Sequence, residues 1–306
     1  MPQLIDTSNL SPCSLPEAIE ALAQIDFDPR NMESTKEAAH WLERLSNNRA
    51  FLADILLHRL AGKTSGMLES GYGPQAIMLS PLRGRMFLRA NIWPAEHDLC
   101  FRNSGAKTFV YGVPHDHNFS FLTSGYLGPG YASDYYAYDY DAVAGYPGET
   151  AGLRFVERSA LHQGKMMLYR AHRDVHSQLP AQSLSVSLNV MHVDPAQAWF
   201  DQYGFDLESG EITRVLSPNA TEVFLRTAVA SGASNAVEFA DWIGTTHPSD
   251  RLRLASFEAR AGRTVDVVER DAIWDRASRS GSRMVATIAQ NRRRGIEDEL
   301  LRDAAR

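Results

Sequence analysis

The chain has 306 residues, 44% hydrophobic and 22% charged, which is the composition of a folded globular protein rather than a disordered or fibrous one. Lys and Arg number 31 against 37 Asp and Glu, and the net charge of −6 excludes the global basic footprint of a nucleic-acid binder. No apolar run reaches the ~18 residues of a membrane span, the N-terminus does not read as a signal peptide, and Cys13 and Cys100 form neither a disulfide framework nor a thiolate metal site, so a cytoplasmic protein is expected.

Residues 1–66 are expected to be helical. Ser14 to Glu17 is a capping box with Pro16 early in the helix, followed by Ala18, Ile19, Leu22 and Ile25 at helical spacing. Ser34 to Glu37 reads as a second capping box ahead of Ala38, Trp41, Leu42 and Leu45. A third helical run carries Phe51, Leu52, Ile55, Leu56 and Leu60, with Gly62 at its end.

From about Gly71 to Tyr203 the texture becomes short alternating or apolar runs cut by Gly, Pro and Asp. They are Ala76–Ser80, Gly84–Trp93, Lys107–Val113, Asp134–Tyr140, Gly152–Glu157, Lys165–Ala171 and Leu184–Val193. With no helical run between them they predict an antiparallel β-barrel or sandwich over 67–207. From Pro218 helical spacing returns over Glu222–Val229, Asn235–Ile243, Arg251–Arg260, Val265–Arg276 and Arg283–Asn291, punctuated at Ser217-Pro218, Gly232 to Ser234, His247 to Ser249 and Gly262. A helical region over 208–306 follows. Arg292 to Arg294, balanced by Glu297, Asp298 and Glu299, reads as a solvated helical tail.

Of the ten histidines, His40, His58, His97, His162 and His247 read as structural or solvent-exposed. His115-Asp116-His117 is different. In an extended segment residues i and i+2 share a face, so both imidazoles point one way and are able to bind one cation, with Fe, Zn, Cu and Ni all suited to imidazole. A second cluster, His172 and His176, lies 50–60 residues on, followed by the strand-like run ending near His192. Three histidines on neighbouring strands leave open positions on a catalytic metal.

These residues resemble the cupin superfamily. His115, His117 and Gly128 match its first motif, and Gly164 with His176 nearly match its second. The resemblance implies a cupin-type β-barrel with His115, His117 and His176 as metal ligands. His172 is the alternative third ligand and otherwise supports a ligand or substrate, and His192 lies beyond the strand. Phe121 and Leu122 occupy the family's acidic ligand position, so the site resembles the three-histidine cysteine dioxygenase branch. That branch also reads H-D-H followed by an apolar run and Gly, here Gly125. Its later strand carries a Ser-His-Tyr relay, whereas this chain has Ser187, Asn189 and Met191, which argues against free cysteine as substrate. The resemblance covers about 110 residues and leaves both helical flanks unexplained.

The tyrosine-rich stretch Tyr126, Tyr131, Tyr135, Tyr136, Tyr138 and Tyr140 reads as barrel packing, with the rings from Tyr136 to Tyr140 alternating onto one face. The sharper reading makes Tyr126 or Tyr136, together with His172, catalytic. Relatives in the dioxygenase branch clamp a substrate carboxylate with an upstream arginine. Arg83, Arg85 and Arg89 occupy that region, and Arg170 and Arg173 flank the second motif. Three functions fit. The first is a mononuclear non-haem Fe(II) oxygenase acting with O2 on a small anionic, amino-acid-like or thiol-bearing molecule. The second is an isomerase, lyase or hydrolase using Zn, Ni or Mn. The third is a non-enzymatic cupin sensor or interaction module. Homo-oligomers through the helical flanks are compatible with all three.

Overall fold

The computed structural model describes residues 1–6, 8, 10–62, 75–217, 220–233 and 235–304. The proposed boundary at 66/67, the start of the β texture at Gly71, and the punctuating Pro218 and Ser234 lie outside these. The chain forms two compact units, one of residues 1–142 with 150–214 and the other of 143–149 with 215–306. Among the described residues no helix is long and apolar enough to cross a membrane.

The first unit begins with β1 (Gln3–Ile5), α1 (Leu15–Ile25), α2 (Met32–Asn47) and α3 (Phe51–Leu60). The Ser14–Glu17 capping box forms as expected, the Ser14 hydroxyl accepting from the Glu17 N–H. The Ser34 box does not form. Helix α2 starts three residues earlier, at Met32, because the Asn31 side chain accepts from the Glu33 and Ser34 N–H groups and caps it first.

The strands follow: β2 (Ala76–Met78), β3 (Met86–Trp93), β4 (Phe121–Leu127), β5 (Tyr131–Ala137), β6 (Arg154–Leu161), β7 (Met166–Tyr169), β8 (Asp174–Gln178) and β9 (Ser185–His192). One sheet runs β1-β7-β4-β9-β3-β2 and a second β6-β5-β8. The segment from Tyr111 to His115 extends the second sheet, with His115 bridged to His176. Taking β3, that segment and β4 to β9 as eight successive strands, one sheet reads 1-8-3-6 and the other 2-7-4-5. That is the strand order of a jelly roll, and the barrel is of the cupin type. The small hairpin β10 (Tyr203–Phe205) and β11 (Ile212–Val215) closes the unit.

Alternation along the strands divides the interior into two cores. Leu88 and Ala90 of β3, Leu122 and Tyr126 of β4, and Leu188 and Val190 of β9 point outward, onto Leu22, Leu42, Leu45 and Leu52 of the helices. The opposite parity, with Trp93, Phe121, Tyr131, Tyr135, Tyr169 and Met191, fills the barrel. Strand β9 is buried at every position because helices cover one face and the second sheet the other. Truncating Leu188 or Leu122 to Ala in this doubly covered layer costs roughly 2–5 kcal/mol.

Two expectations fail locally. Lys107–Val113 is not a strand: Ala106–Phe109 is a 3-10 turn ending at Val110 in the left-handed region, and extended pairing resumes only at Tyr111. Strand β5 ends at Ala137, after a bulge at Tyr135/Tyr136, so Tyr138 and Tyr140 lie beyond it and do not share a strand face with Tyr136.

The second unit is helical: α5 (Ala220–Ala230), α6 (Ala236–Thr246), α7 (Asp250–Ala261), α8 (Val267–Ser278) and α9 (Arg283–Ala304). Helix α7 packs on the other four and supplies Leu252, Phe257 and Ala261 to two apolar cores. In the basic run of α9, Arg293 pairs with Asp271 and Asp275, and Arg292 with Glu258.

Candidate metal centre

The segment carrying His115 and His117 pairs with β8, which carries His176, and the His115 and His176 backbones exchange hydrogen bonds of 3.0 and 2.9 Å. This pairing brings three imidazoles together, their planes inclined at 86°, 53° and 60° to one another. The His117 and His176 Nε2 atoms are 3.1 Å apart and those of His176 and His115 3.3 Å, and all three rings are buried. His115 Nδ1 lies 2.6 Å from the Val113 carbonyl oxygen, which only accepts, so Nδ1 carries the proton and Nε2 presents a lone pair. Burial holds the His115 imidazole below the ordinary histidine range. Burial, then the neighbouring rings, hold His117 and His176 well below it.

Three neutral imidazoles aiming nitrogens at one another is repulsive without a cation among them. Metal–nitrogen bonds of about 2.0–2.1 Å, at angles between octahedral and tetrahedral, place the nitrogens about 2.8–3.4 Å apart; the two Nε2 pairs that His176 makes fall in that range, and all three ligand atoms lie within 4.8 Å of one another. The three residues therefore suit one divalent transition metal, and all three line a cavity.

That cavity has a volume of about 340 Å³ and is lined by Arg89, Asn91, Trp93, Phe119, Phe121 and Tyr131, among others. Strand parity explains the choice: Met86, Leu88 and Ala90 face the helices, so Arg89, Asn91 and Trp93 face inward. Arg89 is near enough to His117 and Tyr131 for its charge to act on both. Asn189 of β9, paired in register with Arg89, also lines the cavity, and its amide donates to the Arg89 carbonyl at 3.3 Å. The Gln178 amide nitrogen sits 3.4 Å from His176 Nε2.

The other sequence candidates lie elsewhere. His172 sits in a turn with φ +61°, a left-handed conformation that histidine adopts at some cost. Its N–H donates to the His117 carbonyl at 2.8 Å while its ring stacks on Tyr140, away from the cluster. His192, at the end of β9, packs edge-on to Phe27. Tyr126 points to the helices, its hydroxyl donating to the Asn48 and Arg49 carbonyls. Tyr136 is on the outer face of β5 against Phe155. Arg83 is in the exposed turn before β3, Arg85 pairs with Asp26 at 2.8 Å, and Arg170 forks onto Asp174. Of the arginines considered, the fold brings Arg89 to the three histidines.

Several residues of the site carry no obvious motif. Asp116, between the two ligands and therefore on the opposite face, is fully buried. It accepts 2.6 Å hydrogen bonds from the Tyr138 hydroxyl and the Tyr203 N–H, tying the histidine segment to β10. Burial pushes its carboxyl up to about 7 despite those two bonds. Tyr135 and Tyr169 share a 2.8 Å hydrogen bond, and Tyr131 bonds Tyr169. Burial pushes all three phenols up, Tyr135 to about 12, so they stay protonated. The signal for Tyr131 and Tyr135 was their shared parity on β5. For Asp116 it was the alternation of H-D-H itself.

No protein-family model matches the chain, and no curated protein is significantly similar in sequence. Among solved structures it is similar to a salicylate 1,2-dioxygenase from Pseudoaminobacter salicylatoxidans (13% identity, TM-score 0.27, covering 56% of this chain and 37% of the other). It is also similar to a hydroquinone 1,2-dioxygenase from Sphingomonas sp. TTNP3 (9%, 0.26, 41% and 70%) and to a DMSP lyase from Ruegeria pomeroyi (12%, 0.26, 63% and 79%). The chain spans little more than a third of the salicylate dioxygenase's length. At such TM-scores these likenesses decide neither fold nor chemistry, which rest on the strand order and the histidine geometry.

Proposed function

We propose that the protein is a mononuclear non-haem iron oxygenase that oxidises a small anionic substrate with O2. The observation that carries this reading is the convergence of three buried imidazoles, their Nε2 atoms clustered, on a cavity that Arg89 also lines. Fe(II) held by His115, His117 and His176 would supply the redox chemistry with O2 at the positions the histidines leave open. Neutral imidazoles add no negative charge, so the centre favours an anionic ligand over a neutral one.

The chain's own groups do the remainder. The Arg89 guanidinium, with the Asn91 and Asn189 amides beside it, holds the anionic end of the substrate. Trp93, Phe119 and Phe121 form an apolar wall that excludes water and packs against the substrate body. The Tyr131 hydroxyl, backed by Tyr169 and Tyr135, holds a proton at the cavity wall. Asn189 and Met191 replace the relay of the thiol-oxidising branch, so the substrate is an amino-acid-like or thiol-bearing compound other than free cysteine.

The test is oxygen consumption by iron-loaded protein against a panel of amino acids, thiols and small carboxylates. Substrate-dependent uptake, with little or none for cysteine, is expected. Turnover that continues unchanged without O2 would replace this reading with a lyase or isomerase using the same histidines as a Lewis-acid site.

A further inference from the structure

A second cavity, of about 550 Å³, opens in the same unit on the far side of Phe119, which lines both. Its volume is in the range of small-molecule sites. Three arginines line it, Arg30, Arg170 and Arg173, against one acidic lining residue, Asp194. Their commitments differ. Arg170 is neutralised by its fork onto Asp174 and also donates to the Met1 carbonyl. Arg30 pairs with Asp28 at 3.1 Å and reaches Asp194 only at 3.9 Å. Arg173 has no ion-pair partner among the described residues. Counted with Asp28, Asp174 and Asp194 the three arginines balance, and the cation left without a carboxylate against it is Arg173, so the positive charge of the cavity is local to its Arg173 side.

Two further features mark it as a built site. His192 lines it and is 4% exposed, with an Nε2 that is buried and lacks a hydrogen-bond partner. The walls on either side are organised: Phe200 packs on the His172 ring at 5.4 Å, and the Asn118 amide donates 3.1 Å hydrogen bonds to the Gln197 and Phe200 carbonyls, fixing the segment that carries Phe200. With Phe119 and Met32, these give a charged rim over an apolar floor.

We infer that this cavity is a second ligand site, separate from the metal cavity, for a small carboxylate or phosphate anion carried on a compact apolar group. The anion meets Arg173 and Arg30, and the apolar group lies against Phe119 and Phe200. The inference does not depend on the metal or on the reaction proposed above, because none of the residues it invokes is a metal ligand.

The experiment is calorimetric titration of the full chain, stripped of metal with EDTA, with benzoate, phenyl phosphate, inorganic phosphate and the neutral benzamide. Benzoate or phenyl phosphate is expected to bind, and the preference between them identifies the anion. Arg173→Ala is expected to weaken binding about tenfold or more, Arg30→Ala to add to the loss, and His176→Ala to leave it unchanged. Arg173 is exposed, so its substitution leaves the fold intact. Benzamide binding as tightly as benzoate would overturn the claim of an anion site, and inorganic phosphate matching phenyl phosphate would overturn the apolar half. Binding lost in His176→Ala but kept in Arg173→Ala would place the ligand in the metal cavity and refute the inference, as would the absence of binding by both aromatic anions.

Discussion

Asp116 is the residue whose removal separates the scaffold of the site from its ligands. Its two carboxylate oxygens each accept a buried 2.6 Å hydrogen bond, from Tyr138 and from the Tyr203 backbone. Asp116→Ala leaves both donors unsatisfied, at about 1–3 kcal/mol each. Relief of a buried carboxyl offsets part of this, since its folded value is raised from 3.8 to about 7. A group raised on folding binds more protons folded than unfolded, so the wild-type contribution is full below about pH 4 and is lost as pH rises toward 7. The net cost of the variant is therefore about 2–3 kcal/mol, greater at pH 5 than at pH 7, which lowers Tm by roughly 4–12 °C for a unit of this size. Thermal unfolding of both proteins at pH 5 and pH 7, followed by circular dichroism, measures it. An unchanged Tm at pH 5, or a larger loss at pH 7 than at pH 5, would refute the clamp.

Two further outcomes follow from the same geometry. Arg89→Met removes a charged anchor from the metal cavity while leaving the histidines in place. A loss of about 2–3 kcal/mol in kcat/KM, about 30- to 150-fold, is expected with metal content unchanged, measured by steady-state oxygen uptake and elemental analysis. Gly130, in the turn between β4 and β5, has φ +83°, and a Cβ there would run into the Leu161 carbonyl oxygen at the end of β6. Gly130→Ala should destabilise the first unit by roughly 3 kcal/mol or more, read by denaturant midpoint, whereas Gly164→Ala, with nothing near its Cβ, should cost less.

Much of the architecture was legible because it follows local chemistry. The Ser14 capping box, the alternation through β3 and the apolar β9 each declare their structure in a few residues. The C-terminal helices were read nearly to their ends, and α9 runs on to Ala304 through the Arg292–Arg294 run read as a helical tail, where Arg293 pairs with Asp271 and Asp275 and Arg292 with Glu258. The strand expected over Lys107–Val113 failed because its β-branched and aromatic residues pack as a tight turn, with Phe101 stacking on Phe109. At the site, H-D-H and the spacing to His176 were visible because parity and ligand chemistry are sequence properties. Which arginine enters the barrel was not, since Arg83, Arg85 and Arg89 differ only in where β3 begins. Asp116 and the Tyr131–Tyr169–Tyr135 cluster depend on which strands become neighbours, a property of topology rather than of any one segment.

The measurement that bears most directly on the three-histidine centre is bound metal, determined by elemental analysis of protein purified with Fe(II) supplied. One metal per chain is expected in the wild type and in His172→Ala, whose ring stacks on Tyr140 away from the cluster. A large loss is expected in each of His115→Ala, His117→Ala and His176→Ala. Wild-type occupancy in all three of these variants, or loss in His172→Ala with retention in His176→Ala, would contradict the account.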